Sequence, residues 1–148
     1  MTVLVSAILV IAVMIATARA DDATINKTAD NVAIKGYDTV AYFTDSKAIE
    51  GSAKHEVMWQ DTRWYFVSEE HRNLFLAAPS RYAPQFGGWC AAGVAAGRYY
   101  APDPEAWAIV DGKLYLNSSR AVADEWQQER AEKIARAEQV WSGQASTN

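Results

Sequence analysis

Residues 55–79 constrain the fold more than any other part of the chain. From His55 the side chains alternate, with His55, Val57 and Trp59 on one side and Glu56, Met58 and Gln60 on the other. That period of two marks a half-buried strand. Asp61-Thr62 makes a tight link, and Trp64-Tyr65-Phe66-Val67 is aromatic and β-branched, so an antiparallel hairpin is predicted. Ser68 follows at once as a helix cap, because its hydroxyl can accept a bond from a free first-turn amide. Glu69 and Glu70 place negative charge at the positive end of that helix. Leu74, Phe75 and Ala78 form its apolar stripe, and Pro79 closes it.

A second hairpin is predicted where Trp107–Val110 and Lys113–Leu116 flank Asp111-Gly112, a pair suited to the positive φ of a two-residue turn. Asp103 is expected to cap a helical turn, with Pro104 at its first position. Asp38 is expected to cap a one-turn helix through Val40, Ala41 and Phe43. The last element is read as one long helix from Ser118 or Ser119 to about Trp141, with Val122, Trp126, Ile134, Ala137 and Trp141 on one face. These elements define an α+β domain: two β-hairpins in a small antiparallel sheet, packed with short helices and a long C-terminal helix. Residues 32–142 form the domain, 21–31 a flexible N-terminal segment and 143–148 a polar tail.

Residues 1–20 are apolar and end in Ala18-Arg19-Ala20 before Asp21-Asp22. A small-x-small site after such a run reads as a secretory signal peptide, with a retained membrane anchor as the alternative. Cleavage leaves no stable membrane span, and the protein is expected in a periplasm or outside the cell. The net charge of −4 and the lack of a basic stripe exclude nucleic acid as a partner. Two glycosylation sequons begin at Asn26 and Asn117; at Asn117 a helix-capping role is the better reading. Six tryptophans and seven tyrosines are read chiefly as core, with a ligand cleft as the minority reading.

The order of four motifs resembles the YHS domain family, in particular its small exported members. They are AIKGYDTVAYF at 33–43, the strand–SEEH–helix–Pro unit, YAPQFGGWCAAGVA at 82–95, and DPEAWAIVDGKLYLN at 103–117. The resemblance implies a small binding domain. Cysteine-bearing members are thought to bind metals such as copper through thiolates. Their helix begins Cys-Ser, with a second cysteine four residues after the first. Val67 and His71 stand at those two positions here, and Ala41, Tyr42 and Phe43 stand near the family's Cys-Gly-Met.

Cys90, His71 and His55 are the candidate metal ligands, since copper or zinc wants soft or borderline donors converging from separate segments. Cys90 is the only cysteine, so no internal disulfide exists. Its position after Gly87-Gly88-Trp89 puts it in a first helical turn, where a thiolate is favoured, but small apolar neighbours favour a buried thiol. Three function classes follow. The first is a non-enzymatic binding domain for a metal or small cofactor. The second is a module for a protein partner with no ligand. The third is a thiol-dependent enzyme using Cys90.

Overall fold

A computed structural model of the chain describes residues 25–145. The expected signal peptide, residues 1–20, lies outside them. Within them the fold is α+β, with six α-helices and two antiparallel two-stranded sheets. The order begins with helix α1 (Ala41–Thr44) and continues with strands β1 (Ser52–Trp59) and β2 (Thr62–Phe66). Helices α2 (Glu69–Ala77), α3 (Pro79–Tyr82) and α4 (Ala91–Ala95) come next. Strands β3 (Asp103–Val110) and β4 (Lys113–Asn117) then lead to α5 (Arg120–Gln128) and α6 (Arg130–Ala145). The two hairpins remain separate sheets rather than joining into one. No helix among the described residues is long and apolar enough to cross a membrane.

Both hairpins turn on two residues of positive φ. In the second they are Asp111 and Gly112, as the sequence predicts. In the first they are Gln60 and Asp61, one position earlier than expected, and Thr62 opens β2 instead. The Thr62 hydroxyl donates to the Gln60 carbonyl and ties the turn down. The expected helical turn at Asp103-Pro104 is absent. Asp103 pairs with Asn117 as the start of β3, and a bulge follows before Trp107. Proline is tolerated there because a bulged strand start asks no ladder bond of it. The Pro104 carbonyl accepts the hydroxyl of buried Tyr42, which binds β3 to α1.

The long C-terminal helix is broken at Glu129, which has φ −127° and ψ 28°. Packing explains the break. Helix α5 rests on β3 and β4, whereas α6 rests chiefly on α4, and one straight rod cannot do both. Ser119 caps α5 by accepting the Val122 amide. Ser68 caps α2 by accepting the His71 amide, as expected.

Apolar residues form two cores. The first holds Ile34, Val40, Tyr42, Trp64, Phe66, Phe75, Leu114 and Leu116. Phe75 meets the rings of Trp59, Trp64 and Phe66 at 5.7, 5.1 and 5.0 Å, which fixes α2 against the first hairpin. The second holds Phe86, Ala91, Val94, Tyr115, Trp126 and Ala137. Strand β4 divides them. Its alternation sends Leu114 and Leu116 into one core and Tyr115 into the other. Both faces of this strand are therefore covered.

Candidate functional site

Among the described residues Asp38 is the one acid with no exposed surface, and its carboxylate is fully engaged. Oδ1 accepts the amides of Val40 and Ala41 at 2.8 and 3.1 Å, which is the capping role the sequence suggested. Oδ2 accepts the Val67 amide at 2.9 Å and faces Nδ1 of His71 at 2.7 Å. A carboxylate can only accept, so Nδ1 carries the hydrogen of that bond. One buried side chain thus holds the start of α1, the end of the first hairpin and the first turn of α2.

The bond on Nδ1 fixes the other face of the ring. His71 keeps 12% of its side-chain surface exposed. Its Nε2 lies 3.3 Å from the Thr44 hydroxyl and 3.5 Å from Oδ2 of Asp45. Thr44 and Asp45 themselves are 2.8 Å apart. Both sit at the end of α1, so the short helix capped by Asp38 also supplies the groups facing the ring. The hydroxyl has one hydrogen and three acceptors in reach, the third being the Val40 carbonyl at 3.2 Å. Asp45 is the nearest and carries charge, so it takes that hydrogen.

This order of hydroxyl, imidazole and carboxylate is the one used in nucleophilic hydrolysis. The Thr44 hydroxyl lies closer to Asp45 than to the ring, at 2.8 against 3.3 Å, which disfavours its activation by His71. What the geometry provides is an imidazole oriented through Nδ1, with Nε2 facing Thr44 and Asp45. A carboxylate behind a histidine is also the usual support of a metal-binding ring.

Cys90 lies elsewhere. It is 1% exposed and caps α4, with Sγ accepting the Gly93 amide at 3.4 Å. Its thiol points at Oδ1 of Asn117, 3.6 Å away. Asn117 is fully buried and also accepts the Ala92 amide, so it caps α4 from β4. The helix that Asn117 caps is thus not the one that follows it in sequence. Its Nδ2 has no partner among the described residues. A thiol so enclosed has no route to a substrate, which weighs against thiol chemistry.

The third expected ligand, His55, sits half-buried on β1. Cys90, His71 and His55 are therefore carried by three different parts of the fold. Among the described residues no three His, Cys, Asp or Glu side chains gather into a group able to hold a metal ion, so the expected trio is not brought together. The thiolate chemistry of cysteine-bearing YHS domains does not fit either, since Val67 contributes only its amide and Cys90 is buried, capping α4 against Asn117. Sequence reasoning picked His71 but missed its companions Asp38, Thr44 and Asp45. Their signal was the spacing of an acid–hydroxyl cluster around a short helix, which needs the fold to acquire meaning.

All six tryptophans are buried or half-buried, so they supply no exposed patch of their own. Among the described residues the exposed large apolar side chains are Met58, Leu76 and Tyr100. Compared with known proteins, the chain matches no family model, no curated protein and no solved structure.

Proposed function

We propose that this chain is an exported, non-enzymatic binding domain of YHS type that meets its ligand through His71. The observation that carries the reading is the Asp38–His71 pair. A fully buried carboxylate holds the ring at 2.7 Å and leaves Nε2 facing Thr44 and the exposed Asp45. Holding a ring this firmly suits binding better than turnover. The four motifs that resemble the YHS family support the same class, and the apolar run at 1–20 supports export.

The test is a thermal-shift screen of the full chain against transition-metal ions and small cofactors. A bound ligand raises the midpoint by mass action, by about 2.7 kcal/mol at a hundredfold excess over Kd. The expected result is a ligand that stabilises the wild type and not His71→Ala. Stabilisation that survives His71→Ala for every hit overturns the reading. Export is tested by fractionation and N-terminal sequencing, with a mature chain starting at Asp21 as the expected product.

A further inference from the structure

Three donor atoms meet at the exposed edge of His71. They are Nε2 of His71, Oγ1 of Thr44 and Oδ2 of Asp45. The triangle they form has edges of 3.3, 3.5 and 2.8 Å. With the imidazole neutral and its hydrogen on Nδ1, every corner carries a lone pair, and the hydroxyl supplies the single hydrogen within the triangle. Such a cluster is completed by a positive centre.

The dimensions fit one. Ligand atoms bonded to an ion at roughly 2.0–2.1 Å stand about 2.9 Å apart in an octahedron and about 3.4 Å apart in a tetrahedron. The three observed edges span that range. Behind the triangle, Asp38 supports the ring through Nδ1, as a carboxylate supports a metal-binding histidine. The support is rigid because Asp38 is also fixed by three backbone amides. Asp45 is 43% exposed, which leaves the outer side of the triangle open to water.

We propose that His71, Asp45 and Thr44 form one face of a site for a borderline divalent ion of the zinc type. Water completes the coordination. This deepens the reading of His71 as the ligand-facing residue and rests on it. The donor set is nitrogen and oxygen, so a thiolate-seeking ion such as Cu(I) is not its occupant. The third donor is the Thr44 hydroxyl. Cys90, buried against Asn117, takes no part.

The test is calorimetric titration of the full chain with Zn²⁺, with Co²⁺ as a spectroscopic reporter. One equivalent is expected. The Co²⁺ spectrum should lack a sulfur charge-transfer band, and the ring resonance of Nε2 should shift on Zn²⁺ addition. Asp45→Asn, at an exposed position that leaves the fold intact, should weaken Zn²⁺ at least about ten-fold, since losing a ligand costs no less than losing a partner behind one. Thr44→Val should weaken it in the same direction, and Cys90→Ser should not change it. Wild-type affinity in Asp45→Asn, or a sulfur band, overturns the proposal. If Zn²⁺ fails to bind while another ligand still stabilises the protein through His71, the ion class falls and the broader reading survives. If no ligand depends on His71, both fall.

Discussion

Asp38 shows how much one side chain can decide. It accepts three amides and an imidazole N–H while excluded from water. Replacing it by alanine strands all four donors. Leaving a buried donor unsatisfied costs about 1–3 kcal/mol, so Asp38→Ala should lose at least that much in urea unfolding. Tyr42 makes a second prediction. Burial, chiefly, and then the nearby Glu105 push its phenol well above the ordinary 10.0. The folded state therefore holds this proton more tightly than the unfolded chain. Stability is fully present below pH 10 and is lost as pH rises beyond it. Tyr42→Phe should flatten that alkaline slope. At neutral pH it should cost about 1–3 kcal/mol, since the buried Pro104 carbonyl loses its donor. Asn117 gives a third. It has no exposed surface, so the folded protein should carry no glycan there, and mass spectrometry after expression in a eukaryotic secretory host checks this.

At the scale of elements, legibility followed locality. Both hairpins, the Ser68 cap, the Pro79 stop and the Asp38 cap are set by residues within a few positions, and the sequence displays them. The break at Glu129 was not visible because α6 is drawn onto α4, an element that lies far earlier in the chain. The same holds for the site. Asp38 and His71 are separated by 33 positions, and nothing local announces their meeting. Gly51 is another long-range requirement. A Cβ there would stand 2.4 Å from the Tyr65 carbonyl carbon and 2.5 Å from its oxygen. Those are backbone atoms of β2, and they cannot step aside. Gly51→Ala should therefore destabilise the first hairpin by more than the roughly 1–3 kcal/mol typical of overpacking, with loss of soluble folded protein as the readout.

For the whole molecule, the decisive feature is that the two cores share β4. Leu114 and Leu116 complete one, and Tyr115 belongs to the other. The two cannot melt independently while that strand stays paired. Calorimetry should give a single transition, and fluorine labels on Trp64 and Trp126 should lose their native signals at the same temperature. Two separate transitions would show that β4 does not couple the halves. Leu116→Ala should lower that common midpoint, with a cost of about 2–5 kcal/mol for a truncated buried leucine.

The shared strand also sets how the chain can be cut. A fragment stopping at Gly97 would leave the N-terminal half without Leu114 and Leu116, its closing side chains. A fragment starting after Gly97 would lack Phe86, Ala91 and Val94, against which Tyr115 and Trp126 lie. Neither piece is a miniature of the protein. Evolution or engineering can lengthen its loops, but it cannot inherit half of it.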